Sequence, residues 1–93
     1  MNIPADFPPV LYVPCVQQTH DATEASVRMR TTRDGRSAVL VYSALDRLHT
    51  CVGTDVPWMV LPTERLAEVR DAAPFDLVLL DVVVPKHERA VGR

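Results

Sequence analysis

The chain has 93 residues, of which 47% are hydrophobic and 24% are charged, and its formal net charge is -2. A domain of this size buries roughly 60–70% of the surface that its unfolded chain exposes, which predicts one small domain of modest stability. The nearly balanced charge argues against recruitment of nucleic acid or of an anionic membrane. The apolar runs are far shorter than the ~20 residues that span a bilayer, so we expect no membrane partner.

The first segments in chain order predict an arm and a short strand. Residues 1–9 contain three prolines, which fix the backbone and remove hydrogen-bond donors, so we expect a flexible arm. Val10–Val16 is rich in β-forming residues, and Pro14 places this strand at a sheet edge or makes it the strand end. Residues 17–25 have no apolar periodicity and predict a polar loop.

A β-hairpin is the clearest local pattern. Val27, Met29 and Thr31 alternate with polar residues, as in a strand that buries one face. The dipeptide Asp34-Gly35 is typical of a two-residue type I′ turn. Ser37–Tyr42 then predicts the second strand of the hairpin.

The next segment changes to helical spacing. Ser43 followed three residues later by Asp46 resembles a capping box, which predicts a helix over Ala44–Val52. Gly53 can adopt the left-handed conformation that ends such a helix.

The last third of the chain predicts strand, helix and strand. Val56–Pro62 predicts a strand, and Thr63 is the expected cap of a second helix. The buried stripe of that helix is expected to consist of Leu66, Val69 and Ala73. Leu77–Val84 predicts the final strand, and residues 86–93 predict a polar tail.

This order of elements predicts an α+β fold over residues 10–85. Strands that alternate with helices imply crossover connections between neighbouring strands. We therefore expect one mixed β-sheet of about five strands, in the order β-ββ-α-β-α-β, with two helices packed on it.

Asp81 lies within the apolar run of residues 77–84, a pattern that resembles the phospho-acceptor strand of receiver domains. A receiver domain also needs an acidic pair that binds Mg²⁺, and the earlier predicted strands end without paired acids. A phosphate-binding loop is equally unsupported, because the chain has only three glycines. We expect Asp81 to bond a backbone amide or an arginine at the sheet margin.

Other residues with catalytic or metal-binding potential are scattered. His20, His49, His87, Cys15 and Cys51 have no spacing typical of a metal site, and nothing resembles a nucleophile motif. We therefore predict no enzyme activity, no cofactor and no metal. Both cysteines are expected to be buried and reduced in a cytoplasmic protein.

Four arginines are concentrated on the predicted hairpin, namely Arg28, Arg30, Arg33 and Arg36. They allow an anion- or nucleic-acid-binding stripe, whereas the simpler interpretation is a solvated edge hairpin whose charges oppose aggregation. In a two-residue turn Arg33 and Arg36 would face each other, which costs up to ~1 kcal/mol.

Several predicted strands are apolar on both faces, which is typical of strands that are buried on both sides. Two short helices on one face would leave the second face uncovered, and an apolar surface of that kind usually contacts a partner. We therefore expect a homodimer or a protein partner, with Trp58 and Tyr42 as the contact residues.

The whole ordered chain also resembles a known family. LYVP, VRMRTTRDGRSAV, VYSALDRL, PWMVLPTERL and DLVLLDVVVP follow one another as in the SseB-like N-terminal domain family, in its short stand-alone actinobacterial form. The resemblance implies an α+β module of poorly defined function, in a group linked to serine sensitivity and to secretion or regulatory gene clusters. It assigns no activity to any residue.

Three functions remain open from the sequence. The first is a non-enzymatic interaction or regulatory module that acts as a homodimer or as a subunit of a larger assembly. The second is an anion- or nucleic-acid-binding module that uses the four arginines. The third is an enzyme whose site assembles in space near Asp81.

Overall fold

The computed structural model describes residues 7–16 and 27–85. Its elements are the strands β1 (Val10–Pro14), β2 (Met29–Thr31), β3 (Ser37–Val41), β4 (Trp58–Pro62) and β5 (Leu77–Leu80) and the helices α1 (Leu45–Val52) and α2 (Leu66–Ala72). A 3₁₀ turn at Thr63–Arg65 precedes α2. The α+β class and the order of elements are confirmed. The polar loop, the tail and residues 1–6 of the arm lie outside the described residues.

The strands form two sheets rather than one continuous sheet. One sheet pairs β1 with β4 in antiparallel orientation, and the other has the order β2-β3-β5. β2 and β3 are antiparallel, whereas β3 and β5 are parallel, so the larger sheet is mixed as expected. The crossover from β3 to β5 contains both helices and β4.

Single bridges connect the two sheets through β1. Tyr12 and Tyr42 exchange both backbone hydrogen bonds, each of 2.8 Å, just beyond the end of β3. Cys15 bridges Val27, and the Arg28 N–H donates to the Pro14 carbonyl at 2.9 Å. β1 therefore contacts β4 on one side and the hairpin on the other, and Pro14 is its last residue, as the sequence predicted.

The two helices lie on opposite faces of the strands, and this corrects the expectation that both cover one face. Leu66 and Val69 of α2 belong to a core cluster with Val39 and Val41 of β3. A second cluster joins α1 to the other face of β3. It includes Leu40 of β3, Tyr42 directly after β3, and Leu48, Cys51 and Val52 of α1. β3 is apolar at consecutive positions because a helix covers each of its faces.

The two predicted helix caps have other roles. Ala44 occupies the cap position of α1 without a side-chain hydrogen bond, and the preceding Ser43 bonds Asp81 instead. The Thr63 hydroxyl bonds the Pro8 carbonyl, and its N–H donates to the Pro9 carbonyl at 2.9 Å. Both hydroxyl residues therefore join distant parts of the chain rather than cap a helix.

Other local predictions are confirmed. Gly53 ends α1 with a φ of 122°, a left-handed conformation that favours glycine, and its N–H donates to the His49 carbonyl. Leu66 and Val69 form the buried stripe of α2, and Ala73 is half-buried against the same cluster. Phe7, within the predicted arm, also packs against that cluster.

Candidate interaction surface

The outward face of the β1–β4 sheet carries two of the four exposed large hydrophobic side chains of the described residues, Val10 and Val60. The register pairs Tyr12 with Val60 and Pro14 with Trp58, so these side chains share one face. The odd-numbered neighbours point the other way, where Leu11, Val13, Met59 and Leu61 are 0–4% exposed. The sheet thus has one buried and one partly open apolar face.

We call the open side the β1–β4 face and define it by Val10, Tyr12, Trp58 and Val60, together with Val16, which follows the end of β1. Val10, Val16 and Val60 are 40%, 56% and 49% exposed, respectively. The rings of Tyr12 and Trp58 lie 5.8 Å apart at an interplanar angle of 56°, and both side chains pack against the α1 cluster. Helix α1 thus covers part of this side of the molecule and leaves the valines accessible to solvent.

The two predicted contact residues occupy different environments. Trp58 is half-buried at the margin of the β1–β4 face. Tyr42 is 0% exposed, and its hydroxyl donates to the Val82 carbonyl at 2.7 Å. Tyr42 is therefore a core residue in this fold, which corrects its assignment to a contact surface.

Val10, Tyr12, Val16 and Val60 were not singled out from the sequence. The available signal was that β1 and β4 are apolar at consecutive positions. The strand order and the placement of the helices decide which side of these strands stays partly exposed, and both depend on long-range packing rather than on local sequence.

The hairpin turn differs from the prediction. The Thr32 N–H donates to the Arg36 carbonyl at 2.8 Å, so the turn comprises residues 33–35 rather than two residues. Gly35 has a φ of 87°, whereas Asp34 does not have a positive φ. This is the three-residue hairpin geometry, with glycine in the left-handed position. Arg33 is therefore not opposite Arg36, and the expected repulsion between them does not arise.

Local hydrogen bonds explain the longer turn. Asp34 accepts from the Thr32 hydroxyl and from Arg36 Nε, the latter at 2.8 Å. The Arg36 N–H also donates to Thr32 Oγ1 at 3.1 Å. These bonds hold the two ends of the turn together, and they occupy the Arg36 guanidinium within its own hairpin.

The predicted arginine stripe is consequently divided. Arg28 directly precedes β2 and Arg30 lies within it, and both are half-buried. Arg33 is exposed in the turn, and Arg36 pairs with Asp34. Arg28 Nε is buried and has no hydrogen-bond partner within the described part of the chain. The four arginines therefore differ in exposure and in hydrogen bonding, and Arg36 is paired within its own hairpin.

Lowering the pH is expected to loosen the hairpin turn. The Thr32 hydroxyl, and then the Arg36 charge, hold the pKa of Asp34 below its ordinary value. Because the pKa is lower in the folded chain, the stabilisation is complete above the unfolded pKa of about 4. It is lost as the pH falls through the lower folded value.

The backbone amide shifts of Gly35 and Arg36, followed from pH 7 to pH 2, measure this change. We expect a midpoint below about 4, the ordinary aspartate pKa. The variant Asp34→Asn should lose this transition. A midpoint at or above the ordinary value would contradict the role of these hydrogen bonds.

Asp81, whose strand resembles the phospho-acceptor strand of receiver domains, has a structural role in this fold. β5 ends at Leu80, and Asp81 turns out of the strand with a φ of 57°. Its Oδ1 accepts from the Ser43 N–H at 2.9 Å, and its Oδ2 accepts from the Ser43 hydroxyl at 2.8 Å. The expected backbone-amide bond is therefore present. This Asp81–Ser43 clasp connects the end of β5 to the segment that leads into α1.

The described cysteines and histidines form no catalytic or metal arrangement. Cys15 and Cys51 are both buried and form no disulfide with each other. Burial raises the pKa of the Cys15 thiol to about 11, with the nearby Arg28 charge opposing this effect. Within residues 7–16 and 27–85, no cluster of three or more His, Cys, Asp or Glu side chains could hold a metal ion. His20 and His87 lie outside these ranges.

These features define a class of protein, a small α+β domain with one helix on each side of its strands and a partly open apolar sheet face. The chain belongs to the SseB family, because residues 9–87 match the family model described as the SseB protein N-terminal domain. The family assignment made from the sequence is thus confirmed. No curated protein and no solved structure matches the chain significantly. None of the helices in the described ranges is long and apolar enough to cross a membrane.

Proposed function

We propose that the chain is a non-enzymatic interaction module that binds a second protein chain through the β1–β4 face. It acts as a homodimer or as a subunit of a larger assembly, in the cytoplasm, as the short stand-alone actinobacterial form of the family. The observation that carries this proposal is an exposed pair of valines, Val10 and Val60, on the sheet face that also holds two half-buried aromatic rings, with the exposed Val16 just beyond β1.

Two physical arguments support a contact surface there. Exposed valines scattered singly need no explanation, whereas valines grouped on one flat face lose unfavourable hydration together when a partner covers them. Tyr12 and Trp58 supply rigid aromatic area next to these valines, and Tyr and Trp dominate the energetics of many interfaces. The rings pack on the α1 cluster, so they lose little side-chain entropy on binding.

The non-enzymatic part of the proposal is supported by the Asp81–Ser43 clasp. Both carboxylate oxygens of Asp81 accept hydrogen bonds from Ser43. These bonds explain the position of Asp81 by the fold itself, as a hydrogen-bond acceptor at the end of β5, without requiring a reaction at its carboxylate.

The variant Val60→Glu is expected to weaken self-association about 30-fold or more, because a charge buried in an apolar contact costs at least ~2 kcal/mol. Val60 is central on the β1–β4 face and 49% exposed, so the folded monomer accommodates the carboxylate in water. Sedimentation equilibrium of the variant and of the wild-type chain measures the two dimer dissociation constants.

Val83→Glu provides the matched control. Val83 is 62% exposed and lies beyond β5, outside the β1–β4 face, so this variant adds the same charge at another exposed valine. It should associate like the wild-type chain. Equal weakening by both substitutions would argue for a general charge effect and against the proposed face.

A further inference from the structure

Strand β5 has the composition of an interior strand but lies at the edge of its sheet. Its four residues Leu77–Leu80 are all apolar and all half-buried. The neighbouring central strand β3 is also apolar on both faces, and its residues Ala38–Val41 are only 0–3% exposed. β5 pairs with β3 on one side, and no described strand pairs with its other side. Within the described ranges, the outer edge of β5 is therefore an unpaired edge of an apolar strand.

The outer edge of β5 carries no side chain of the kind that protects a sheet edge. Natural edge strands are often very short, or they carry lysine or proline, which discourage pairing with another chain. Leu77–Leu80 is short, with four residues, but contains no lysine and no proline. The flanking acids are bonded towards β3 and α1, since Asp76 Oδ2 accepts from the Ser37 N–H at 3.0 Å and Asp81 bonds Ser43. One negative charge therefore lies directly before β5 and one directly after it.

We propose that the outer edge of β5 binds an extended strand of a different protein, with an apolar centre and a basic residue near each end. The main-chain N–H and C=O groups of such a strand would continue the sheet, as in other cases of strand addition. Its apolar side chains would cover both half-exposed faces of β5, and its basic ends would lie near Asp76 and Asp81.

The acidic residues that flank β5 favour a different protein, rather than a second copy of this chain, as the binding partner. Antiparallel pairing of two copies through β5 would set the acids that flank one strand against those of the other, and like charges on facing strands are destabilising. A strand with basic ends converts both contacts into attractive ones. This site is separate from the β1–β4 face, so either proposal can fail without the other.

The test uses the full chain, labelled with ¹⁵N, and an acetylated and amidated hexapeptide with four β-branched residues between two lysines. We expect the amide signals of Leu77–Leu80 to shift on titration, while those of β4 stay constant. The same peptide with two glutamates in place of the lysines should bind about tenfold more weakly, because two attractive cross-strand pairs become repulsive. A version N-methylated on the edge that faces β5 should not bind, because it cannot donate main-chain hydrogen bonds.

The variant Leu77→Lys adds a protein-side control. Leu77 belongs to neither core cluster, so the fold should persist, which the unchanged amide spectrum of α2 would verify. The new charge should abolish binding of the lysine peptide, whereas Val60→Lys should not. Any one of three results would overturn the proposal. The β5 amide signals could stay unshifted at millimolar concentrations of the lysine peptide. The glutamate or N-methylated peptide could bind as tightly as the lysine peptide, or the lysine peptide could bind Leu77→Lys as tightly as the wild-type chain.

Discussion

Replacing Asp81 by alanine is expected to lower the free energy of unfolding by about 2–4 kcal/mol, which is large for a domain of this size. The substitution removes both hydrogen bonds of the Asp81–Ser43 clasp and leaves the Ser43 N–H without its acceptor. It also places alanine at a φ of 57°. That left-handed conformation is tolerated by Asp and Asn but costs other residues about 1–2 kcal/mol. Urea denaturation measures the difference.

Two further variants separate these contributions. Asp81→Asn keeps a residue that tolerates positive φ and one acceptor oxygen, so it should lose about half as much stability as Asp81→Ala. Ser43→Ala removes only the hydroxyl bond and should cost about 1 kcal/mol. The double variant Ser43→Ala/Asp81→Ala should cost less than the sum of the single changes, because the two residues share one contact. Wild-type stability of Asp81→Ala would contradict the structural role of the clasp.

Replacing Tyr42 by alanine is expected to cost about 3–5 kcal/mol, as for other large aromatic residues removed from a core. Tyr42 is 0% exposed, packs with α1 and joins the two sheets through its backbone bridge to Tyr12. At about 4–8 °C per kcal/mol for a domain of this length, the melting temperature should fall by at least ~12 °C. Thermal unfolding followed by circular dichroism measures this shift.

The conservative variant Tyr42→Phe keeps the ring and loses only the hydrogen bond to the Val82 carbonyl. We expect it to cost about 1–2 kcal/mol and to leave self-association unchanged. If Tyr42→Ala folded with wild-type stability and lost only self-association, Tyr42 would be a contact residue and its place in the core would be wrong.

Local sequence patterns predicted the elements well and their terminal residues less well. Alternation in the hairpin, helical spacing in α2 and the glycine that ends α1 each depend on neighbours a few residues away. The turn at Asp34-Gly35 was misjudged because the same dipeptide fits a longer turn, and Thr32 and Arg36 supply side-chain bonds that favour it. Ser43 and Thr63 were assigned as caps because both precede a helix, although each bonds a residue distant in sequence.

The arrangement of the helices could not be obtained from local patterns. Apolar residues at consecutive positions of β3 are compatible with a helix on each face and equally with a helix on one face and a partner on the other. The choice depends on which way the chain crosses from β3 to β4 and from β4 to β5, which long-range packing decides. The same uncertainty explains why Trp58 and Tyr42 were both predicted as contact residues. In the structure Tyr42 is buried, whereas Trp58 is half-buried at the margin of the β1–β4 face.

The measurement that tests the central claim most directly is the solution mass of the wild-type chain, by light scattering after size exclusion, over a dilution series into the low micromolar range. We expect twice the 10.4 kDa mass of one chain at high concentration, with dissociation on dilution and a weaker dimer for Val60→Glu than for Val83→Glu. A mass of one chain at every concentration would contradict the homodimer. A dimer equally insensitive to both substitutions would show that the β1–β4 face is not the contact surface.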